Sequence, residues 1–492
     1  MSARVRQLCD DAIAHLVPGP GLTMIEQVRD KLAVPLTVTV AGGVSSGKST
    51  MVNALLGQRI AAVDAGECTR VVTEFRYAAY ERAEVIGTDG RVDVLPLNRG
   101  RMPERLGRPV EEISSVVVHL SNALLTHLAV VDTPGLNTVT EVNEATTSSF
   151  LGIIGREGEQ TASAVSRADA LLFLLPLLRQ SDAEALRGFS KLFGGSSLSS
   201  ASALAVLSKV DRLAKDGDPM VAAAPIAGRV AAELRGVVSG VVPVIGLLAE
   251  TAQAAEFNEA DARALAAVAA ITDAFDREDM LLTTDDFLAF ESLELERAQR
   301  QRLLSMLDLY GLKVAVRAAD EGARTASAFL KVFDEASGFA ALRNAVVHRF
   351  AGQSEVFKAH AAMSDLRRAS YLRNDPDNQR ALRALRSPLE KLELDPSLHA
   401  LRLLEVGQAV ASGSLVLPEA LLADVVALTE VADPLSAVGA RAGRSRDAAS
   451  AGAARWSAWE NDPRRSPMES RLARVMKEAY EMMWSEFDGV AS

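Results

Sequence analysis

The sequence predicts an α/β domain, built on a mixed, mostly parallel sheet with helices on both faces, followed by an all-helical half. From about residue 34 to residue 283, short β-branched and apolar runs alternate with helical stretches, which is the pattern of strands separated by helices. After residue 283 the strand signals disappear and apolar residues recur at helical spacing. The chain has 492 residues, too many for one hydrophobic core, so we expect separate domains.

Each element is assigned from its apolar pattern. Residues 1–33 predict two helices, because a proline- and glycine-rich break at 17–21 interrupts the helical spacing. The predicted strands are 36–40, 71–77, 82–86, 115–120, 128–131, 170–175, 203–207 and 241–245. The predicted helices of the second half are 287–312, 314–333, 340–372, 380–410 and 453–487, with a break at 432–452. The predicted units are therefore 1–33, 34–283 and 284–492.

Composition restricts the class of protein. The apolar fraction of 48% and the charged fraction of 24% are ordinary for a globular chain, and the net charge of −11 argues against a nucleic-acid partner. The two cysteines, Cys9 and Cys68, give neither a disulfide framework nor a metal-ligand spacing, so a reducing cytoplasm is the expected compartment. No secretion signal and no apolar run of roughly 20 residues is present, so any membrane contact is expected to be peripheral.

A phosphate-binding loop is predicted where the first strand ends. Eight residues match the pattern G-x-x-x-x-G-K-S in full, and they are Gly42, Gly43, Val44, Ser45, Ser46, Gly47, Lys48 and Ser49. The pattern stands between a strand and a helix that begins at Thr50, which is the context that makes it informative. Backbone N–H groups of such a loop converge on phosphates, Lys48 supplies a cation for the β- and γ-phosphates, and the Ser49 hydroxyl is expected to bind Mg²⁺.

Two further segments predict groups around the terminal phosphate. Asp132 follows an apolar strand and is expected to hold Mg²⁺ through water, while the N–H of Gly135 is placed to sense the γ-phosphate. Thr69 precedes the strand at 71–77, the place where a first switch segment puts a threonine on Mg²⁺ and the γ-phosphate. Thr69 is therefore a candidate metal ligand and also a candidate catalytic residue. Lys48 is a second candidate catalytic residue.

The segment Ser208, Lys209, Val210 and Asp211 predicts recognition of guanine. Its aspartate would accept two hydrogen bonds from guanine, and adenine presents no such pair of donors. The usual first residue of this motif is Asn or Thr, so Ser208 departs from it. Together with the phosphate loop, the segment predicts a P-loop GTPase that binds GTP and GDP.

The sequence lacks the glutamine that small GTPases carry just after the glycine at the position of Gly135. Leu136 and Asn137 stand there instead, so the attacking water must be positioned by another group. Ser45 is the candidate for that role. The alternative is that the Ser45 hydroxyl only hydrogen-bonds the loop.

Residues 42–49, the pair Thr69–Arg70 and the missing glutamine resemble the dynamin superfamily. The segments 309–322 and 335–342, and the Trp456–Trp459 region, are similar to bacterial dynamin-like proteins, closest to the isoniazid-inducible (Ini) branch. The resemblance implies a GTPase head, a neck built partly from residues 1–33, and a helical trunk that meets membrane at its tip. It also implies catalysis by the P-loop serine, often assisted by a monovalent cation.

Two functions remain open beyond nucleotide hydrolysis. The first is membrane remodelling through nucleotide-dependent pairing of heads, at the cytoplasmic, inner face of the cell membrane, with anionic lipid and a second copy or a related protein as partners. The second is a soluble regulatory switch whose helical half binds a protein. The candidate membrane contacts are Leu415, Val416, Leu417, Arg380, Arg383 and Arg386. Core packing and a solvated basic face are the alternatives for these residues.

Overall fold

A nine-stranded sheet forms the centre of the first half in the computed structural model. The structure describes residues 1–61, 70–98, 100–103, 105–134, 168–176, 203–213, 217–234, 238–254, 256–351, 354–373, 375–393, 395, 399, 402–403, 406–407, 409–410, 415–429 and 446–489. The strands are β1 Leu36–Gly42, β2 Thr73–Tyr77, β3 Arg82–Gly87, β4 Val92–Leu95, β5 Ile113–Leu120, β6 Leu128–Asp132, β7 Ala170–Pro176, β8 Ala203–Ser208 and β9 Val241–Val244. The predicted α/β class is therefore confirmed.

The strand order is β4-β3-β5-β2-β6-β1-β7-β8-β9, and the sheet is mixed. The run β6-β1-β7-β8-β9 is parallel, while β2 lies antiparallel to β6, and β3 lies antiparallel to β4 and β5. The central strands are buried on both faces, which explains why their sequences are nearly continuous apolar runs. Because parallel strands end at the same edge, the residues that follow β1, β6 and β8 come close together.

Strand β4 was not predicted from the sequence. It is only four residues long, and its apolar residues alternate with Asp93, so the run is too short to stand out. The turn before it carries the signal that could have identified it. Asp89–Gly90 is a dipeptide typical of tight hairpins, and Gly90 has φ +79°, a left-handed conformation that favours glycine.

The helices lie on both faces of the sheet and continue through the second half. In chain order they are α1 Ser2–Ile13, α2 Pro20–Ala33, α3 Lys48–Leu56, α4 Pro219–Glu233, α5 Gly246–Gln253, α6 Glu259–Ala269, α7 Ala274–Met280, α8 Thr284–Ala289, α9 Arg297–Asp320, α10 Ala326–Ser337, α11 Phe339–Asn344, a π-helix Ala345–Ala351, α12 Ser354–Ala369, α13 Gln379–Ala384, α14 Arg386–Glu393, α15 Glu419–Thr429, α16 Arg446–Glu460 and α17 Pro467–Gly489. Within the described ranges, none of these helices combines the length and the apolar character that crossing a bilayer requires.

Several helix bounds differ from the prediction. The predicted helix 287–312 is two helices, α8 and α9, because residues 290–296 lie between them. The predicted helix 380–410 is divided where α13 gives way to α14. The predicted break at 432–452 is wrong for its last part, since α16 begins at Arg446 in a run of alanines that favours helix.

The packing crosses the predicted boundary at residue 283. One core unites Leu207 and Val210, at the end of β8, with Leu307 and Phe329 from α9 and α10. The main core of the sheet extends further and includes Phe357 of α12. Helices on both sides of residue 283 therefore share buried apolar surface, and the domain boundary at this residue stays a prediction.

The N-terminal helices pack against helices of the second half. Val5 and Ile25 lie in one buried cluster with Leu366 and Leu385. Another cluster, the trunk core, is built from the helices that follow and is centred on the fully buried Trp456. Residues 1–33 are thus joined to residues 354–393 by apolar packing.

Specific hydrogen bonds fix the turn between α1 and α2. Asn378 Oδ1 accepts the N–H of Val17 (2.8 Å), and Asn378 Nδ2 donates to the carbonyl of the same residue (2.9 Å). Asp375 Oδ2 accepts the N–H of Gly21 at 2.7 Å, near the start of α2. These polar contacts set the register between the α1–α2 turn and residues 375–378, since each partner would be left unsatisfied in another arrangement.

A buried arginine, Arg300, is expected to be a major source of stability. Its side chain is nearly enclosed, with 8% of the residue exposed. Its guanidinium donates at 2.6–3.3 Å to the carbonyl oxygens of Phe287, Leu288, Phe290, Leu293 and Leu295. We expect Arg300→Met to lower the free energy of unfolding by roughly 3 kcal/mol, because buried carbonyls lose charged donors. Chemical denaturation measures the loss, and the exposed Arg297→Met on the same helix is the control; equal stability of the two variants would contradict the prediction.

Candidate nucleotide-binding site

The loop after β1 has the backbone shape of a phosphate-binding loop. Gly42 has φ +154°, and a Cβ at this position would lie 2.6 Å from the carbonyl oxygen of Leu174 on β7. Gly47 has φ +92° and leads directly into α3, which begins at Lys48. The loop therefore ends at a helix N-terminus, where free N–H groups and the helix dipole favour an anion.

Lys48 lies over the loop with its charge held by backbone oxygens. Its Nζ donates to the carbonyls of Gly42 (3.3 Å) and Gly43 (2.9 Å), and 8% of the residue is exposed. Burial lowers the pKa of Lys48, and the carboxylate of Asp132 opposes that shift. A phosphate arriving at the loop would thus meet a desolvated ammonium group that is already in position.

Ser49 and Asp132 form a hydrogen-bonded pair beside the loop. Ser49 Oγ donates to Asp132 Oδ2 at 2.8 Å, and within the described residues Asp132 Oδ1 is buried without a hydrogen-bond partner. Burial raises the pKa of Asp132 to about 6, although the Ser49 hydroxyl and the Lys48 charge act in the opposite direction. A hydroxyl and a carboxylate with a free oxygen suit Mg²⁺, which keeps water ligands and takes others from phosphates.

The described residues hold no cluster of three or more His, Cys, Asp or Glu side chains that could bind a metal without such help. The donor set at Ser49 and Asp132 therefore fits a cation that arrives with a nucleotide. It does not fit a metal held by protein ligands alone.

Two buried hydroxyls fasten the loop region to neighbouring strands. Thr133 Oγ1 donates to the carbonyl of Val40 at 2.9 Å, and Ser208 Oγ donates to the carbonyl of Ser46 at 2.7 Å. Ser208 is 3% exposed. Although Ser208 replaces the usual Asn or Thr, its hydroxyl therefore supports the phosphate loop from the side of the predicted base segment.

We expect Ser208→Ala to weaken guanine-nucleotide binding about five- to tenfold. The change leaves the Ser46 carbonyl without its donor, and a lost hydrogen bond of this kind costs on the order of 1 kcal/mol. Titration with fluorescent GDP measures the change. The control is Ser208→Thr, which keeps the hydroxyl; comparable weakening in both variants would contradict a role for this bond.

The turn after β8 holds the residues that are predicted to recognise the base. Lys209 has φ +57°, and Asp211 lies in the short 3₁₀ turn Val210–Arg212 that follows. Burial raises the pKa of Asp211, and the nearby carboxylate of Asp308 raises it further. Burial also lowers the pKa of Lys209. A half-buried carboxylate of this kind favours a ligand that donates hydrogen bonds to it.

Asp308 was not identified from the sequence. It lies inside α9 with φ +51° and ψ −176°, a conformation found almost only in glycine, and it interrupts the helix. The N–H of Leu309 donates to Asp308 Oδ1 at 2.7 Å, which partly compensates for the interruption. The apolar spacing of this stretch is regular helix, so no sequence signal indicates the kink.

Thr69, Gly135, Leu136 and Asn137 lie outside the described residues, so the predicted first switch and the γ-phosphate sensor remain predictions. The remaining predicted nucleotide contacts, from Gly42 to Thr50 and at Asp132 and Ser208 to Asp211, are described. All of them lie at the carboxyl edge of the sheet. The register places Asp132 beside Val40, and Ser208 beside Pro176 of β7.

The candidate membrane contacts divide into buried and exposed residues. Leu415 is 2% exposed and belongs to the trunk core, so the structure does not support a membrane contact through it. Leu417 packs against the same core, whereas Val416 is 76% exposed. Two of the three apolar candidates, Leu415 and Leu417, therefore pack in the trunk core.

The basic candidates also differ in their surroundings. Arg380 and Arg383 are exposed. Arg386 lies over the ring of Tyr371, 3.9 Å from its centroid, and donates to the carbonyl of Ser370 at 3.0 Å. The guanidinium of Arg386 is therefore engaged in local packing, which leaves Arg380 and Arg383 as the accessible pair.

Comparisons with known proteins agree on one family. The model of the Dynamin family matches residues 38–188. The chain is 30% identical to the isoniazid-induced protein IniC of Mycobacterium tuberculosis, in strains CDC 1551 / Oshkosh and ATCC 25618 / H37Rv, over 97% of this chain and 95% of the relative.

Likeness to solved structures is weak. A chain of an oligomerised bacterial dynamin pair, described as providing a mechanism for long-range sensing and tethering of membranes, is 12% identical with a TM-score of 0.34, over 100% of this chain and 91% of that one. A GTP-binding protein from Sulfolobus solfataricus in complex with GDP is 13% identical with a TM-score of 0.21, over 46% and 51%. Scores this low do not bear on function.

Proposed function

The chain belongs to the bacterial dynamin-like proteins of the Ini branch, and we propose that it binds GTP with Mg²⁺ and hydrolyses it. One observation carries the proposal. Groups from three different strand ends, namely Lys48 and Ser49 after β1, Asp132 on β6, and Ser208 on β8, meet at one edge of the sheet. In open α/β sheets, ligands bind at this edge.

Each described group has a distinct task in the proposed reaction. The N–H groups of the loop and of the start of α3, which includes Thr50, face the phosphates, and Lys48 neutralises the charge on their oxygens. Ser49 and, through water, Asp132 would hold Mg²⁺, and the bound ion would supply positive charge for the transferred phosphoryl group. Asp211 accepts from guanine, so GTP is preferred over ATP.

Ser45 is the proposed group for positioning the attacking water. It lies exposed in the loop with φ +57°. Thr69, which precedes β2 in the sequence, is the proposed partner on the γ-phosphate. A monovalent cation near the loop is proposed from the resemblance alone.

We expect Ser45→Ala to reduce the turnover number for GTP roughly 100-fold while the affinity for GTP changes little, because the hydroxyl acts on the transition state. Ser45 has a positive φ, and alanine carries a Cβ as serine does, so Ser45→Ala keeps the backbone strain of this position. Ser45→Gly removes the hydroxyl without that strain and should show the same loss. A GTPase assay measures the turnover number, and nucleotide titration measures the affinity for GTP. Equal losses of affinity and turnover would mean that Ser45 only structures the loop.

We further propose that pairing of the GTPase heads is coupled to membrane binding and remodelling. Membership of the dynamin family supports this proposal, and the packing of α1 and α2 against residues 354–393 supports a neck between the head and the trunk core. The proposed partners are anionic lipid and a second copy or a related protein. The proposed location is the inner face of the cell membrane, with contact through Val416, Arg380 and Arg383.

Co-sedimentation with vesicles containing anionic lipid tests the membrane proposal. The wild type should pellet with vesicles and cluster them when GTP is present, and Lys48→Ala should lose the clustering. A wild type that hydrolyses GTP yet stays in the supernatant under all conditions would favour the alternative, a regulatory switch whose helical half binds a protein.

A further inference from the structure

A buried amide on the phosphate-loop helix, Asn53, joins three parts of the head. Asn53 is completely enclosed, with 0% of the residue exposed. Its Oδ1 accepts the N–H groups of Ile60 (3.0 Å) and Ala61 (2.8 Å). Its Nδ2 donates to the carbonyl of Ala61 (3.1 Å) and to Glu250 Oε1 (2.7 Å). All four hydrogen-bonding positions of the amide are therefore used.

Glu250 is the partner on the base side of the site. It belongs to α5 and is 1% exposed. Its second oxygen, Oε2, lies 3.0 Å from Arg59 Nη2, and the other end of that guanidinium lies 3.5 Å from Glu256. The carboxylate of Glu250 is thus buried, paired with a cation and hydrogen-bonded to Asn53, and removing a partner would leave a polar group unsatisfied.

Asn53 and Glu250 lie close to the starts of α3 and α5, two helix ends at the edge of the sheet that holds the proposed nucleotide site. Asn53 follows Ser49 by four residues, and Glu250 follows Gly246 by four residues, so each lies one helical turn below the start of its helix. The two helix starts are also close together, since a Cβ on Gly246 would lie 3.7 Å from Thr50 Cγ2. The start of α3 lies at the proposed phosphate site, and α5 begins directly after β9, whose Val244 pairs with Ser208 at the start of the predicted guanine segment.

We propose that Asn53 and Glu250 are positioning residues, which hold the phosphate-binding end of α3 against the base-side end of α5. The inference rests on the proposed GTP-binding function. Both side chains are too deeply buried to touch a nucleotide, so they act by fixing the distance between the two ends. A nucleotide that spans both ends loses affinity when that distance is free to vary, because binding must then also order the protein.

The test uses the full chain, with GDP as the probe, and measures both affinity and thermal unfolding. Asn53→Ala is expected to weaken GDP binding about tenfold at a temperature well below unfolding. Glu250→Ala should do the same, and Glu250→Gln should weaken binding less, because the amide oxygen still accepts from Asn53. If Asn53→Ala does not fold, the two Glu250 variants decide the question.

Asn122→Ala is the matched control for a purely structural role. Asn122 Nδ2 donates to the carbonyl of Leu56 on α3 (2.6 Å), and its Oδ1 accepts the N–H of Leu124 (2.9 Å), so neither of these bonds joins α3 to α5. This variant should lower the unfolding temperature while GDP affinity is retained. Wild-type affinity in destabilised Asn53→Ala and Glu250→Ala would overturn the positioning role. A wild type that binds no GDP would instead overturn the proposed function.

Discussion

Replacing Lys48 by alanine is expected to abolish nucleotide binding and GTP hydrolysis while the fold is retained. Among the described residues, the Nζ group hydrogen-bonds to the two carbonyls of the loop, and burial disfavours its charge before a nucleotide arrives. Its removal therefore costs the free protein little. In the complex the same group would lie on phosphate oxygens, where each charge-assisted hydrogen bond contributes about 1.5–3 kcal/mol. Two such bonds correspond to a loss of affinity of roughly 100-fold or more.

Fluorescent GTP and GDP titrations measure the affinity of Lys48→Ala, and circular dichroism shows whether the fold is retained. Lys331→Ala is a suitable control, because Lys331 is exposed and its ion-pair partner in the described part of the chain is Glu335, one turn further along its helix. Full binding and turnover in Lys48→Ala would mean that nucleotide is bound elsewhere. Loss of binding in the control would indicate a general effect of net charge.

Local patterns predicted most of the head and of the candidate site. Gly42, Asp132 and Ser208 could each be placed because an apolar run comes directly before them, and because parallel strands bring their carboxyl ends to one edge. The spacing of Gly47 and Lys48 has a physical cause in the turn that leads into α3, and this turn depends on the adjacent residues only. Such features can be inferred from a sequence without knowledge of distant contacts.

Features that depend on distant contacts could not be predicted. Asn53 looks like an ordinary polar residue of a short helix, and its partner Glu250 lies 197 residues further along the chain. Asp308 is surrounded by regular helical spacing, so its kink is set by packing around it. Leu415 shows the same limit, since apolar spacing does not distinguish a buried face from one that contacts lipid.

The burial of Asp132 predicts a conflict between stability and function that Asp132→Asn should reveal. Burial raises the pKa of this carboxyl from 3.8 to about 6, so the folded, nucleotide-free protein binds the proton more tightly than the unfolded chain does. The stabilising contribution is complete below about pH 4 and is lost as the pH rises through about 6. At pH 7.5 the ionised carboxylate therefore lowers the free energy of unfolding, by at most about 3 kcal/mol for a pKa raised from 3.8 to about 6.

We expect nucleotide-free Asp132→Asn to be more stable than the wild type at pH 7.5, with the difference shrinking as the pH falls from 6 to 4. The same variant should lose the stabilisation that Mg²⁺ and GTP give the wild type, because an amide is a poor ligand for a hard cation. Wild-type binding of GTP with Mg²⁺ should likewise weaken as the pH falls through about 6. Thermal unfolding at pH 5 and 7.5, with and without Mg²⁺ and GTP, measures all three effects. A variant less stable than the wild type at both pH values would show that Asp132 is needed for the fold itself, since its hydrogen bond with Ser49 would then outweigh the cost of its buried charge.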